Sequence, residues 1–269
     1  MSRIRKLREM IAEPAPGEDG FPFPPWQRPA REAPKVRNML SRDRIVEVAL
    51  QIIDAEGTEA VSMRRIATEL GTGAASLYAY VSGKDDVLTL AHDEVTSGID
   101  VPAMEGNDWQ GMVRDWARQA YRIYAAHQDI ARLSFAEIPT GPKALDIVEQ
   151  LLTGMLDGGV PPQLAAWLID RVALYVGADA FEGWIYGRKF APTDPADKRS
   201  PEERGQNWFA DLAGYFASLP ADRYPAITGN IEAMMTGGGE ARFEFGLETM
   251  IQGVAAMAEQ QRAAPPNEK

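Results

Sequence analysis

The chain has 269 residues, 45% of them hydrophobic and none of them cysteine, which excludes disulfides, thiolate metal sites and cysteine nucleophiles. Neither a secretory apolar run nor a stretch of about 18 apolar residues occurs, so we expect a cytoplasmic protein with no membrane partner. The net charge of −11 argues against nonspecific polyanion binding by the whole chain, but residues 1–40 carry a net +3, so any nucleic-acid contact is expected in the N-terminal third.

Residues 1–40 are predicted to form a flexible, proline-rich basic extension. A short possible helix near its start has three aliphatic residues on one face, Ile4, Leu7 and Ile11. Seven prolines then follow within residues 14–34, and they forbid a continuous helix and favour an extended arm. The basic stretch that ends the extension either lays an arginine in a DNA minor groove or is a solvated linker.

Helical periodicity begins at Ser41, the predicted N-cap of an amphipathic helix that stops at Gly57. Ser62 caps a second helix, SMRRIATEL, which Gly71 ends. A third short helix, AASLYAYV, follows, and a fourth begins at Lys84 with acidic residues in its first turn, where the helix dipole favours them.

The remaining chain also shows helical periodicity, with no convincing strand alternation. Glycine and proline divide it into six predicted helices, at about 108–126, 128–137, 142–157, 162–190, 203–218 and 241–262. An all-α fold follows from this pattern.

The stretch from Gly71 to Asp86, GTGAASLYAYVSGKDD, permits three interpretations. A phosphate loop needs a preceding strand and a lysine followed by Ser or Thr, whereas here a helix precedes Gly71 and Asp85 follows Lys84. An ordinary helix-to-helix connection is the second interpretation. A helix-turn-helix needs a short supporting helix, a tight glycine turn and a second helix with an outward face, and residues 62–80 meet each requirement.

The run TEAVSMRRIATELGTGAASLYAYVSGKDDVL closely resembles the N-terminal domain of the tetracycline-repressor (TetR) family of bacterial transcription regulators. The resemblance is strong over residues 41–95; further on, only the order and lengths of the helices match. It implies a three-helix, helix-turn-helix DNA-binding domain at 41–88, followed by a larger helical ligand-binding and dimerisation domain at 89–264.

The family's pattern also implies roles in binding a double-stranded DNA operator. Ala74 and Ala75 would offer van der Waals contact to bases, and Ser76, Tyr78 and Lys84 would meet phosphates. For Arg64 the alternative is a surface ion pair, and for Tyr78 and Tyr80 it is packing. The DNA-binding residues predicted in this way are Arg64, Thr72, Gly73, Ala74, Ala75, Ser76, Tyr78, Tyr80 and Lys84.

No catalytic set emerges from the sequence. His92 and His127 are isolated, neither belongs to a Glu-x-x-His pair, and a Gly-x-Ser-x-Gly elbow is missing. We therefore predict no catalytic residue, no metal, no cofactor and no enzymatic activity.

Aromatic residues are frequent in the helices of the second domain. Each is more often core than pocket, but together with embedded polar groups they would suit a cavity for an amphipathic or aromatic effector. A carboxylate on an apolar face must find a partner, and Arg171 is one candidate for Asp179 and Glu182. The predicted ligand-binding residues are Trp116, Tyr124, Trp167, Tyr175, Asp179, Phe181 and Glu182.

The resemblance further implies a homodimer whose interface has two helices from each subunit, the long helix at 162–190 and the last helix. On the last helix, an apolar surface is expected from Phe245, Met250, Ile251, Val254, Ala255 and Ala258, with Gly246 and Gly253 among the residues that permit close approach. Such a dimer would act on a palindromic operator and release it when the effector binds. The alternatives are a regulator controlled by a protein partner without a small-molecule pocket, and a helical enzyme with an unused helix-turn-helix.

Overall fold

The computed structural model describes residues 40–127, 129–135, 141–194 and 196–263, so the predicted extension lies outside the described residues except for Leu40. Within these ranges the protein contains helices and no strand, which confirms the predicted all-α fold. The α-helices are α1 (Arg42–Glu56), α2 (Met63–Glu69), α3 (Ala74–Leu77), α4 (Lys84–Thr96), α5 (Trp109–Ala125), α6 (Pro142–Asp157), α7 (Pro162–Lys189), α8 (Pro201–Ala217), α9 (Pro225–Thr228), α10 (Ile231–Met235) and α11 (Gly239–Ala263).

Serine caps begin the helices where the sequence predicts them. The Ser41 hydroxyl accepts a hydrogen bond from the backbone N–H of Arg44 at 3.1 Å, and Ser62 accepts one from Arg65 at 3.1 Å. Each bond satisfies one of the N–H groups that have no partner inside the helix. α1 ends at Gly57, whose φ of 87° favours glycine.

Some helices differ from the predictions. The third helix, expected over AASLYAYV, ends at Leu77, and a turn follows it. The helix expected at 128–137 is a 3₁₀ helix over Ile130–Phe135, in which the Ser134 hydroxyl donates to the carbonyl oxygen of Ala131 at 2.7 Å. Such side-chain bonding to a nearby carbonyl competes with a regular α-helix. The short helices α9 and α10 were not predicted, because elements of four or five residues are shorter than two periods of the helical pattern.

The described residues form two compact units. Residues 40–100 with 141–150 form the first, and residues 101–135 with 151–263 form the second, so α6 contributes to both. Residues within each unit mainly contact one another. The predicted functional division, with a DNA-binding domain at 41–88, stays a prediction.

In the first unit, α1 packs against α4 and α2, and α2 packs against α3. The core consists of aliphatic residues from all four helices, none more than 3% exposed: Ile45, Ile52, Ile53, Ile66, Leu77, Val87 and Ala91. Burial of one such side chain stabilises a fold by about 1.5–3 kcal/mol. This core therefore supports the short α3, which could not persist alone.

In the second unit, α7 packs against α5, α11 and the 3₁₀ helix Ile130–Phe135. Two ion pairs join α5 to α11, Arg114 to Glu248 at 2.9 Å and Arg118 to Glu244 at 2.7 Å. Because these groups are partly exposed, each pair contributes at most about 1 kcal/mol. The buried apolar surface between the helices provides the larger stabilisation.

The last helix turns some of its predicted interface residues inwards. Ile251 is fully buried and Ala258 is 2% exposed within the second unit, so both belong to its own core. Gly246 lies so close to Tyr175 of α7 that a Cβ atom would overlap the phenol. The prediction that Ile251 and Ala258 offer an apolar outer surface is therefore wrong, while Phe245 is exposed as expected.

Candidate nucleic-acid interface and effector site

The turn between α2 and α3 has the hydrogen bonds of a Schellman motif. The N–H of Thr72 donates to the carbonyl of Ala67 at 2.9 Å, and the N–H of Gly71 donates to Thr68 at 3.1 Å. Gly71 has a φ of 63°, which an L-residue with a Cβ adopts only at a cost. The glycine expected to turn the chain thus does so, and α3 starts three residues later.

α3 and the turn that follows it present one side to the core and the other to solvent. Leu77 is fully buried and Val81 is 1% exposed, whereas Tyr78 is 54% exposed. Ala75, Ser76 and Gly73 are also exposed. The other predicted DNA-binding residues of this stretch are partly buried, namely Thr72, Ala74 and Tyr80. Leu70, just before the turn, is only partly buried.

Lys84 is the first residue of α4 and is partly buried. Two residues later, the Asp86 carboxylate accepts a hydrogen bond from the N–H of Ser82 at 2.7 Å. Asp86 therefore satisfies a backbone donor just before the helix. The Lys84 ammonium and the first N–H groups of α4 together offer positive charge and donors to an anion.

The adjacent arginines of α2 have different surroundings. Arg65 pairs with Glu56 at 2.7 Å and with Glu69 at 2.7 Å, and the bond from Arg65 holds the pKa of Glu56 below its usual value. Arg64 is exposed and forms no ion pair with any residue that the structure describes. The surface ion pair considered for Arg64 is thus found at Arg65 instead.

The predicted effector residues of α7 separate into two groups. Tyr175 donates to the backbone carbonyls of Arg242 and Phe243, both at 3.1 Å, and its ring stacks on that of Phe243. Glu182 pairs with Arg242 at 3.4 Å. Burial and the nearby carboxylate of Asp179 raise the pKa of Tyr175 to about 12, and burial raises the pKa of Asp179. This group faces α11.

Phe181 belongs to the other group, since its ring meets Phe135 edge-on at 5.8 Å and stacks on Trp184 at 5.3 Å. Trp167 belongs to neither, because 60% of its surface is exposed. Arg171 pairs with Asp170, its neighbour in sequence, so the suggestion that it balances Asp179 or Glu182 is wrong.

Trp116 and Tyr124 lie on the inner face of α5, 6% and 7% exposed. Within the described residues, the Nε1–H donor of Trp116 is buried without a hydrogen-bond acceptor. An unsatisfied buried donor costs about 1–3 kcal/mol, so it calls for an explanation.

Comparison with known proteins agrees with this architecture. Residues 45–90 match the family described as "Bacterial regulatory proteins, tetR family", and residues 101–258 match "Tetracyclin repressor-like, C-terminal domain". The chain belongs to the TetR family. This TetR-family protein is therefore a DNA-binding transcriptional regulator.

Individual relatives of the regulator are similar over most of their length. The transcriptional repressor DrrR1 of Streptomyces coeruleorubidus is 32% identical, over 88% of this chain and 85% of that protein. The crystal structure of apo ActR from Streptomyces coelicolor is 34% identical with a TM-score of 0.72, covering 84% of this chain and 100% of ActR. The structure of ActR in complex with actinorhodin is 35% identical, covers 82% and 97% of the two chains, and has a TM-score of 0.72.

Two features of the regulator were not found from its sequence. Arg65 holds α2 to the end of α1, and only the tertiary structure distinguishes it from Arg64. The unpaired Trp116 N–H depends on what surrounds the indole.

Among the described residues, no helix is long and apolar enough to cross a membrane, and no three His, Asp or Glu side chains are grouped as for a metal ion.

Proposed function

We propose that this regulator is a cytoplasmic, non-enzymatic homodimer that represses transcription from a palindromic operator and releases it when a small molecule binds the second unit. The two-fold symmetry of such a dimer would match two half-sites about one helical turn of DNA apart. Charge supports an operator reader more than a nonspecific DNA binder, since the chain has a net charge of −11.

One observation carries the DNA-binding part of the proposal. Of the seven side chains from Ala74 to Tyr80, only Leu77 is buried, so α3 and the turn after it offer small and hydroxyl-bearing residues to a groove. We assign phosphate contact to Ser76, Tyr78 and Lys84, and base or phosphate contact to Arg64. Thr72, Gly73, Ala74, Ala75 and Tyr80 complete the proposed surface.

The effector part of the proposal rests most firmly on Trp116. Its buried N–H would gain an acceptor from a ligand oxygen or nitrogen, so an aromatic effector with an acceptor atom is favoured. The other proposed contacts are Tyr124, Trp167, Tyr175, Asp179, Phe181 and Glu182, of which Trp167 has the weakest support because it is largely exposed.

The DNA assignment is tested by selecting operator fragments with the full chain and measuring their affinity for variants. Replacing Tyr78 by Phe and Lys84 by Ala should weaken binding, and the loss of the Lys84 ammonium should lower the slope of log K against log salt by about 1. Arg64→Ala should also weaken binding. Tyr215→Phe, an equally exposed tyrosine in the second unit, is the matched control. Unchanged affinity in the Tyr78 and Lys84 double variant would refute the proposed interface.

The effector assignment is tested by repeating the operator titration with actinorhodin, (S)-DNPA and other aromatic compounds. An effector should weaken operator binding about 5- to 150-fold, the usual range of allosteric coupling. Trp116→Phe keeps an aromatic ring but removes the donor and should weaken effector binding about 5- to 10-fold. Trp208→Phe is the control.

Control by a protein partner is a second candidate, because the Tyr175 group has its hydrogen-bonding and charged partners within its own chain. It would be favoured if no compound altered operator affinity while the Trp116 N–H stayed protected from exchange.

A further inference from the structure

A cleft of about 740 Å³ lies within the first unit, between α1, α4 and the beginning of α6. Arg42, Val46 and Leu50 line it from α1, and none of the residues proposed to meet DNA lines it. From α4 it is lined by Leu90, Asp93 and Glu94 among others, and from the start of α6 by Pro142 and Lys143. Nothing in the proposed DNA-binding or effector mechanism uses this cleft.

The floor of the cleft is apolar. Val46 is 7% exposed, and Leu50 and Leu90 are partly buried, so each presents aliphatic surface to the opening. Covering an apolar floor removes aliphatic surface from water, which favours a bound occupant.

The rim of the cleft is acidic. Four carboxylates line it, Asp43, Glu47, Asp93 and Glu94, against two cations, Arg42 and Lys143. Both cations lie close to carboxylates outside the cleft, Arg42 to Asp86 at 4.0 Å and Lys143 to Asp100 at 3.1 Å.

Two carboxylates of this rim have no counter-charge of their own. In the part of the chain that the structure describes, Asp43 and Glu94 form no ion pair. The cleft therefore suits a ligand with an apolar side and several positive charges.

A segment of the same chain has this chemistry. Residues 3–11, RIRKLREMI, carry four basic residues and one acidic residue, with Ile4, Leu7 and Ile11 at helical spacing. The segment lies outside the described residues, about 30 residues before α1. A chain of that length has a root-mean-square extent of roughly 30 Å as a flexible coil, so the cleft is within reach.

We propose that residues 3–11 bind as an amphipathic helix in the cleft of their own chain. The aliphatic stripe covers Val46, Leu50 and Leu90, while the basic side chains meet the acidic rim. Because the segment is tethered, its effective concentration at the cleft is in the millimolar range, so even a weak contact is populated. The bound segment would contact α1, α4 and α6. This contact within the chain is separate from operator binding and effector binding.

Disulfide trapping tests this contact directly, since the chain has no cysteine and each introduced pair is unique. Leu7→Cys combined with Leu50→Cys in the full chain should form a disulfide at least tenfold faster than Leu7→Cys combined with Ser218→Cys, an exposed position on the second unit. Equal rates for the two pairs would overturn the proposal. A disulfide that joins two chains on a non-reducing gel would also overturn it, because the occupant would then be a second copy.

Charge reversal distinguishes specific binding from random collision. Changing Arg5 and Lys6 to Glu should slow the trapping about tenfold, and these positions lie outside the described residues. Adding Asp43→Lys and Glu94→Lys should restore the rate by re-forming opposite charges. If the rim changes do not restore the rate lost by the changes at Arg5 and Lys6, the proposed contact is wrong. Circular dichroism checks that the rim variant remains folded.

Discussion

Gly71 illustrates how a single residue can matter through its backbone alone. Its φ is 63°, yet a Cβ built on it would meet nothing within 4 Å. Two backbone hydrogen bonds, from Gly71 and Thr72, depend on this conformation. The two glycines of the turn differ, since Gly73 has a φ of −84°, which any residue adopts.

Gly71→Ala is expected to lower the free energy of unfolding by about 1–2 kcal/mol, because an L-residue in the left-handed region is strained. Gly73→Ala should change it by no more than about 0.5 kcal/mol. Chemical denaturation of both variants measures the difference. Equal losses at the two positions would show that the turn tolerates a side chain at either one.

A partly buried histidine, His92, makes the stability of the first unit depend on pH. Burial of His92 on α4 lowers its pKa to about 4. The unfolded chain binds this proton below about pH 6.5, whereas the folded chain does not until near pH 4. The contribution of His92 to stability is therefore complete above pH 6.5 and is lost as the pH falls towards 4.

The unfolding free energy of the wild type should fall between pH 7 and pH 4.5, and in His92→Gln this fall should be smaller by about 1–3 kcal/mol. Urea unfolding at the two pH values measures it, with His127→Gln as the control for the other histidine. A wild-type fall that is unchanged in His92→Gln would contradict the assignment.

At the scale of helices, the contact between α7 and α11 depends on one missing side chain. Tyr175 lies against Gly246 and donates to two backbone carbonyls of α11. The ring of Tyr175 stacks on the ring of Phe243, so the phenol cannot move aside freely. Small residues on the last helix were expected to let a partner subunit approach, but Gly246 admits a helix of its own chain.

Gly246→Ala should lower the unfolding free energy by about 1–3 kcal/mol, the usual cost of overpacking a core. Gly214→Ala on α8 meets nothing within 4 Å and should instead raise it by about 0.5–1 kcal/mol, since alanine favours a helix more than glycine does. Calorimetric melting of the two variants separates these effects. A gain in stability at both positions would mean that Tyr175 adapts.

At the scale of the whole molecule, large apolar side chains remain exposed on the two helices proposed for dimerisation. Phe245 of α11 is 75% exposed, and α7 carries Trp167 at 60%, Ile185 at 45% and Leu174 at 38%. The three α7 residues share one side, because their spacings of seven and eleven are close to whole numbers of helical turns. Exposed apolar surface of this kind commonly marks an interface.

Phe245→Glu is expected to raise the dissociation constant of the proposed dimer at least tenfold, because a carboxylate would be buried without a partner. Sedimentation velocity over a range of concentrations measures the change. Tyr215→Glu, on an exposed part of α8, should leave the dimer intact. A Phe245→Glu protein that sediments as the wild type does would place the interface elsewhere.

The sequence by itself determined the features of this protein that depend on neighbouring residues. Helical period, the Ser41 and Ser62 caps and the Gly71 turn are local, since each involves groups at most five residues apart. The helix-turn-helix and its outward face follow from them, together with the family resemblance. The proposed DNA-binding residues themselves come from the family's pattern at these positions.

Only the tertiary structure decided the features that depend on distant partners. Arg65, unlike Arg64, pairs with Glu56, and Tyr175 and Phe181 contact different neighbours. Among the described residues, the N–H of Trp116 is buried without a hydrogen-bond acceptor. Periodicity says which residues share a side of a helix, but a 28-residue helix such as α7 meets different elements on several sides. Which one it meets depends on how helices far apart in the chain pack together, and no local rule contains that information.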